Sequence, residues 1–187
     1  IAKHAKKQYG EGIDNLVLAG GVALNCVANG KLMKKNVFQN IWIQPAAGDA
    51  GGALGAAYYA YYNHSDVERK VNEKCDYQKG SYLGPEYTDE EVERFLKTNN
   101  YPFEKRERDC EKKIAQLLAE QKIIGLFHDR MEFGPRALGN RSIIADPRSE
   151  EMQSKMNMKI KYRESFRPFA PSVLLEDVEE YFDMKGS

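Results

Sequence analysis

The sequence lacks any apolar run approaching the roughly 18 residues that a membrane-spanning helix requires. It also lacks net charge, because 28 lysines and arginines balance 28 aspartates and glutamates. A surface that binds nucleic acid or a membrane through overall charge is therefore not expected, although a local basic site is compatible with this balance. Hydrophobic residues make up 42% of the chain, which is typical of a soluble globular protein with a packed core.

Cysteine is scarce, and the three present are Cys26, Cys75 and Cys110, with no CxxC pair. A small, odd and scattered set does not suit a disulfide framework or a zinc knuckle and favours a reducing compartment. We therefore expect a cytoplasmic protein. The first residue is not methionine, and we expect the chain to be an excised part of a longer protein.

Strand and helix patterns alternate in the first part of the chain, which indicates α/β construction. Apolar runs predict strands at residues 15–19 and in IWIQP at residues 41–45, the second ended by Pro45, and polar turn residues from 63 to 85 predict a domain boundary near residue 80. Beyond that boundary, Thr88 and Glu91 have the spacing of a capping box at a helix start. Mixed helices and strands follow, including a charged helix over 150–159, so the second part is predicted to be α+β.

Two glycine-rich segments follow the predicted strands, AGGVALN at residues 19–25 and GDAGGALGAA at 48–57. Glycines between a strand and a helix let backbone N–H groups approach a phosphate or nucleoside, and a simple tight turn is the alternative for the first segment. The small residues of the second segment predict a buried helix close to a sheet or ligand. Asp49 is expected to cap this helix, with a metal or ribose contact as the alternative.

A third segment, residues 129–148, reads DRMEFGPRALGNRSIIADPR and is here called the arginine segment. Its four arginines carry planar forks that suit phosphate and carboxylate groups. The pairs Gly134-Pro135 and Gly139-Asn140 are turn formers that would hold such forks in loops. His128, just before the segment, is a candidate ligand contact, with a structural role as the alternative.

The second basic segment, residues 159–172, reads KIKYRESFRPFAPS and adds further cations and a serine hydroxyl. Solvated loop charge, balanced by Glu132, Asp146 and Glu164, is the alternative explanation for both segments. Because two such segments occur in one small region, we predict a polyanion pocket for a nucleotide or a phosphorylated small molecule.

In this order, five stretches resemble the NodU/CmcH carbamoyltransferase family: GGVALNCVANGKL, PAAGDAGGALGAA, YLGPEY, RMEFGPRALGNRSIIADPR and KYRESFRPFAPSVL. The resemblance runs from about residue 15 to about residue 175. It implies an actin-like domain, similar to that of the tRNA threonylcarbamoyl transferases, followed by a YrdC-like domain. Residues 1–80 would be the C-terminal part of the first, and 81–187 the beginning of the second.

The resemblance implies that carbamoyl phosphate and ATP form carbamoyl-adenylate, whose carbamoyl group then passes to a hydroxyl of an acceptor. The acceptor class stays open among a glycan, an antibiotic and a lipo-oligosaccharide. The cations expected to stabilise the phosphate charges are Arg136, Arg141, Lys161 and Arg163. The residues expected to bind substrate or nucleotide are Gly20, Gly21, Asn25, His128, Asn140, Ser165 and Arg167.

Members of this family hold a metal, typically iron, between two histidines and an aspartate in the actin-like domain. Asp49 matches the aspartate, and the histidines are expected upstream of this chain. Fe²⁺ is therefore expected only in the full-length protein, Mg²⁺ is a further candidate, and this chain alone is expected to be inactive. A nucleotide-binding or regulatory module without catalysis is the alternative, whereas an actin-like sugar kinase is disfavoured because the arginine loops have no counterpart there.

Overall fold

The structure, a computed structural model, describes residues 1–10, 12–72 and 74–183 and is a mixture of helices and short strands. The chain divides into two units. The first comprises Ile1–Glu104 and Leu126–Ser142, and the second comprises Lys105–Gly125 and the residues from Ile143 onward. The domain boundary near residue 80 and the two family folds remain predictions.

The first unit begins with the predicted strand–helix–strand arrangement. Strands β1 (Asn15–Leu18) and β2 (Asn40–Ile43) pair in parallel over their whole length. Helix α2 (Cys26–Lys34) lies between them in the chain, as a parallel connection requires. Both strand predictions and the α/β character of this part are confirmed.

Helix α3 (Asp49–His64) confirms the predicted helix but not its predicted burial, since none of its described residues is buried. The close approach that its small residues allow occurs in the first turn. A Cβ at Gly51 would lie 1.9 Å from the carbonyl oxygen of Ala46, so only glycine fits there. Most of the other residues of α3 are exposed.

The remaining helices are short. Helix α4 (Asp89–Thr98) begins after Thr88, whose hydroxyl accepts the N–H of Glu91 while the Glu91 carboxylate accepts that of Thr88, so the predicted capping box is confirmed. In the second unit, the helix expected over 150–159 is one α turn that continues as a π turn, Met156–Ile160. The other elements are α1 (Ala2–Tyr9), α4 (Asp89–Thr98), α5 (Cys110–Ala119), β3 (Ile124–Phe127), β4 (Arg141–Ile144), α6 (Met152–Lys155) and α7 (Val178–Tyr181).

Buried side chains are few among the described residues, and almost as many of them are polar as apolar. The apolar ones are Ala23, Phe38, Ala46, Ala47, Met152 and Met156, and the polar ones are Ser81, Glu132, Asn140, Asp146 and Asn157. Because a buried polar group must be hydrogen-bonded to be tolerated, these five positions mark where the fold is specified by polar contacts. Four of them lie in or beside the arginine segment and the second basic segment.

In the part of the chain that the structure describes, no helix combines the length and apolar character needed to cross a bilayer. The three cysteines are free and exposed.

Candidate functional site

The arginine segment is organised by one buried carboxylate. Glu132 is only 5% exposed, and its Oε1 atom accepts the backbone N–H groups of Leu138 and Asn140 at 2.8 Å and of Arg141 at 3.2 Å. These bonds close residues 132–141 into a loop, here called the arginine loop. The carboxylate thus does for this loop what a helix cap does for a helix end: it satisfies backbone donors that have no other partner.

The charge state of Glu132 follows from its surroundings. Burial acts to raise the pKa of its carboxyl, but the backbone N–H groups that bond the carboxylate, led by that of Leu138, outweigh burial. The pKa of Glu132 therefore lies below its ordinary value, and the group is ionised at neutral pH. The arginine loop is built around a permanent negative charge.

Arg141 has its guanidinium group turned toward its own loop. Nη1 donates to the carbonyl oxygens of His128 at 2.7 Å and Asn140 at 2.9 Å, and Nη2 donates to that of Asp129 at 3.1 Å. The group also lies 3.5 Å from the ring centroid of Phe127, a cation–π contact. Most of the guanidinium N–H groups of Arg141 are therefore already bonded to carbonyl oxygens of the protein.

Arg136 differs from its neighbours. Arg130 donates to the Gly84 carbonyl oxygen and to the Glu86 carboxylate, both at 2.9 Å. Arg136 is exposed, and its guanidinium group has no hydrogen bond or ion pair to any residue that the structure describes. It is therefore a cation presented to solvent by a loop whose backbone is fixed.

The other predicted residues around the arginine loop have structural bonds. Asn140 is buried, and its Nδ2 donates to the Arg130 carbonyl oxygen at 2.8 Å, which closes the loop at its base. His128 is exposed, and its Nδ1 lies 2.8 Å from the carboxylate of Asp129. Neither side chain makes a contact that marks it as a ligand residue.

Four of the motifs named above meet in the first unit. The N–H of Phe133 donates to the Ser81 carbonyl oxygen at 2.6 Å, and the N–H of Gly84 donates to that of Met131 at 2.8 Å. Gly134, at φ 117°, packs against Ala46, whose Cβ would lie 3.0 Å from a Cβ at position 134. The YLGPEY and PAAG stretches thus form the support on which the arginine loop rests.

The first glycine segment joins the same support, because the N–H of Gly20 donates to the Ala47 carbonyl oxygen at 2.6 Å. Gly20 has φ 93°, which favours glycine, and open space surrounds the Cβ positions of both Gly20 and Gly21. Asn25 is the N-cap of α2, since its Oδ1 accepts the N–H of Ala28 at 3.1 Å. The glycine turn is open toward solvent, and Asn25 is used for capping.

Asp49 does not cap α3, and the cap prediction is wrong. Gly48 is the N-cap residue, and Asp49 is the exposed first residue of the helix, where its charge is favourable to the helix dipole. No group of three or more histidine, cysteine, aspartate or glutamate side chains suited to a metal occurs among the described residues. The residues present do not form an iron site by themselves, and no step below is routed through a metal.

The second basic segment has its own buried organiser, Asn157, which is fully buried. Its Oδ1 accepts from Nε of Arg163 at 2.6 Å, and its Nδ2 donates to the carbonyl oxygens of Ser165 at 3.0 Å and Arg167 at 2.8 Å. One amide therefore uses both its acceptor and its donors to fold residues 163–167 around itself.

Arg163 and Arg167 are both held by the protein. The Arg163 guanidinium lies 4.9 Å from the ring centroid of Phe169 in addition to its bond with Asn157, and Nε of Arg167 donates to the Glu164 carboxylate at 2.8 Å. Lys161 is exposed, and its ammonium group has no partner in the part of the chain that is described. The Ser165 hydroxyl is exposed as well.

Arg148, at the end of the arginine segment, lies in the second unit and is bound to Asp146. Nε and Nη2 of Arg148 lie within 3.0 Å of the Asp146 carboxylate oxygens, and the backbone N–H of Arg148 donates to the same carboxylate. These bonds, first the side-chain ones, lower the pKa of Asp146 to about 2. Charge balance with Asp146 therefore explains the presence of Arg148 better than ligand binding does.

Two organising residues were missed by the sequence analysis. From the sequence, Glu132 is expected only to balance charge, and no role is predicted for Asn157. The available signal for Glu132 is an acidic residue just before the Gly134 and Gly139 turns, where a short loop leaves backbone donors to satisfy. For Asn157 the sequence offers only a polar residue between two methionines, Met156 and Met158.

Comparison with known proteins agrees with these motifs. A family model described as the carbamoyltransferase N-terminus matches residues 1–58, and one described as the carbamoyltransferase C-terminus matches residues 115–187. The chain belongs to the carbamoyltransferase family.

Individual relatives cover nearly the whole chain. Nodulation protein NolNO of Sinorhizobium fredii is 43% identical over 100% of this chain and 27% of its own length. Nodulation protein NolO of Bradyrhizobium diazoefficiens is 42% identical over 97% of this chain and 32% of its own length. An uncharacterized protein of Synechocystis sp. is 58% identical over 92% of this chain and 28% of its own length. The chain thus spans less than a third of the length of these relatives.

Proposed function

We propose that the full-length protein is an O-carbamoyltransferase that activates carbamoyl phosphate with ATP and transfers the carbamoyl group to an acceptor hydroxyl. The family membership supports carbamoyl transfer, and the exposed guanidinium of Arg136 on its fixed loop is the observation that supports activation of a phosphorylated substrate. The folds implied by the resemblance, actin-like and YrdC-like, belong to this proposal. So does a cytoplasmic location, which the unpaired cysteines favour.

The chemistry balances with one water. Water cleaves the bond between the carbamoyl and phosphate groups of carbamoyl phosphate, which gives carbamate and inorganic phosphate. A carbamate oxygen then forms a bond to the α-phosphorus of ATP, and pyrophosphate leaves, which gives carbamoyl-adenylate. An acceptor hydroxyl oxygen then attacks the carbamoyl carbon, AMP leaves with the electron pair of the broken C–O bond, and the hydroxyl proton passes to a base. Pyrophosphate and AMP each leave with additional negative charge on a phosphate oxygen, so fixed cations stabilise the transition states.

Within this chain, Arg136 and Lys161 are the two predicted cations whose side chains have no partner among the described residues. We assign phosphate binding to these two. Arg141 and Arg163 hold their loops in shape through the bonds given above, and we assign them to positioning. Gly20 and Gly21 offer open backbone to a nucleotide. The acceptor is a hydroxyl compound such as a glycan, an antibiotic or a lipo-oligosaccharide.

The test is exchange of labelled pyrophosphate into ATP by the full-length protein, with and without carbamoyl phosphate. We expect exchange that requires carbamoyl phosphate, because formation of an adenylate is reversible while pyrophosphate is present. The variant Arg136→Ala is expected to lose most of this exchange, and Arg94→Ala, an exposed arginine of α4 outside both basic segments, is the matched control.

Exchange that does not depend on carbamoyl phosphate would contradict the proposal. Saturable nucleotide binding without any exchange would instead favour the nucleotide-binding or regulatory module. An Arg136→Ala variant with full exchange would remove this arginine from the site and leave the family reaction without its supporting observation.

A further inference from the structure

The carboxylate of Glu132 has more backbone contacts than a surface counter-ion would have. We propose that Glu132 is a positioning residue for anion binding: it fixes the arginine loop so that Arg136 is presented to the phosphate-bearing substrate. This inference rests on the proposed function, because it assigns to Glu132 an effect that acts through Arg136. It concerns residues 132–141, all in the first unit.

The first support is the geometry of the three bonds. Oε1 of Glu132 accepts the N–H groups of residues 138, 140 and 141, so one oxygen binds the far end of the loop to its beginning. Arg136 lies in the stretch that these bonds enclose. Its Cα position is therefore set by Glu132 on one side and by the turn at Gly139, φ 127°, on the other.

The second support is that Glu132 does not pair with a cation. None of the ion pairs among the described residues includes Glu132, and the arginines of the segment bond elsewhere: Arg130 to Glu86, Arg141 to backbone carbonyls, Arg148 to Asp146. The negative charge is compensated by backbone dipoles instead. The charge of Arg136 is thus not neutralised by the residue that holds its loop, and it stays available to an anion.

The third support is the anchoring of the loop on its outer side. Phe133 N–H donates to the carbonyl oxygen of Ser81, which is 1% exposed, and Gly134 packs on Ala46, which is fully buried. With its start fixed by the support and its end fixed by Glu132, the loop has little freedom between them. Preorganised donors bind and stabilise phosphate charge better than mobile ones, because no ordering is required on binding.

The test combines three variants in the full-length protein. Glu132→Gln keeps the size and one oxygen acceptor but removes the charge, and Glu132→Ala removes the acceptor. The matched control is Glu86→Ala, which removes an exposed carboxylate that pairs with Arg130 of the same segment. Each change is made alone and together with Arg136→Ala, and pyrophosphate binding is measured by calorimetry with thermal unfolding as the folding control.

Glu132→Ala is expected to weaken pyrophosphate binding about ten-fold, as for loss of a charge-assisted contact, and Glu132→Gln by less. Neither is expected to weaken it further when Arg136 is already alanine, because the effect acts through that side chain. Additive losses would overturn the proposal. Amide hydrogen exchange provides a second readout: Glu132→Gln should raise exchange in residues 137–141, and unchanged exchange there would also overturn it.

These results separate the two proposals. A wild-type protein without carbamoyl-phosphate-dependent pyrophosphate exchange contradicts the proposed function, while amide exchange still decides the role of Glu132 in the loop. A wild-type protein that has this activity but shows additive effects of positions 132 and 136 contradicts the role of Glu132 alone.

Discussion

The two basic regions of this chain are each held in shape by a buried polar group, but the group differs between them. In the first unit a carboxylate, Glu132, accepts three backbone N–H groups, whereas in the second an amide, Asn157, accepts from an arginine and donates to two carbonyl oxygens. Among the described residues, Arg136 has no partner in the first region, and Lys159 and Lys161 have none in the second. In each region a buried polar group fixes the backbone that carries the cations, and other contacts hold some of those cations to the protein.

The largest effect is expected at Asn157, since it is the fully buried organiser. Asn157→Leu removes one acceptor and two donors and leaves their part-buried partners without these bonds. We expect a loss of about 3 kcal/mol in the free energy of unfolding, because unsatisfied buried groups cost more than exposed ones. Urea denaturation of the full-length protein measures it.

Asn157→Asp is the control, because it keeps the acceptor for Arg163 and removes only the donors to Ser165 and Arg167. A smaller loss than for leucine is expected. Equal losses would mean that the volume of the side chain, and not its hydrogen bonds, holds the second basic segment.

Within the arginine loop, Arg141 and Arg136 are expected to behave in opposite ways. Arg141→Ala removes three bonds to carbonyl oxygens and the contact with Phe127, and should cost about 2 kcal/mol of unfolding free energy. Arg136→Ala should change stability by less than about 0.5 kcal/mol, because the side chain is exposed and unpartnered among the described residues. Equal destabilisation by the two variants would contradict the division between positioning and binding.

The difference between Arg141 and Arg136 shows which features the sequence predicts and which it does not. The motifs, the strands on either side of α2, the capping box and the family were all readable, because they depend on local pattern and spacing. Which arginine is free was not readable, since it depends on carbonyl groups of His128 and Asp129 that turn toward Arg141 only in the folded loop.

The burial of individual side chains was also not predictable from the sequence. The small residues of α3 predicted a buried helix, but small side chains permit close packing without requiring it, and only Gly51 makes such a contact. Conversely, nothing in the composition around Asn157 distinguishes it from an exposed asparagine. Hydrogen-bond networks of this kind join residues several positions apart through backbone geometry, which pattern alone does not contain.

An intermediate effect is expected for Arg163→Lys in the second basic segment. Lysine keeps the charge but lacks Nε and the planar group that lies over Phe169. We expect a loss of about 1 kcal/mol in unfolding free energy, whereas Lys161→Ala in the same segment should leave stability unchanged and weaken phosphate binding. Denaturation and calorimetry on both variants test whether Arg163 and Lys161 divide positioning and binding as Arg141 and Arg136 do. An Arg163→Lys variant as stable as wild type would contradict this division.

The pH dependence of stability should carry a contribution from Asp146. Its pKa is lowered from 3.8 to about 2 by its bonds with Arg148, so the folded state holds the carboxylate ionised in more acidic solution than the unfolded state does. The stabilisation is therefore complete above the unfolded pKa and is lost as the pH falls from about 4 toward 2. Asp146→Asn should reduce the slope of stability against pH in that window, and an unchanged slope would contradict the assignment.

The smallest effect is expected for Glu86→Ala. Its ion pair with Arg130 is exposed on both sides, and such pairs contribute about 0–1 kcal/mol. Thermal unfolding in low and high salt should show little change. A large loss would mean that the ion pair, and not only Glu132, fixes the arginine segment.

Arg136 is the cation to which anion binding is assigned in the arginine loop, and calorimetric titration of carbamoyl phosphate into the full-length protein tests this directly. Wild type is expected to bind saturably and more weakly at higher salt, since exposed charges are screened. Arg136→Ala should bind at least about ten-fold more weakly with an unchanged unfolding transition. Equal affinity of the two proteins for carbamoyl phosphate would contradict the account.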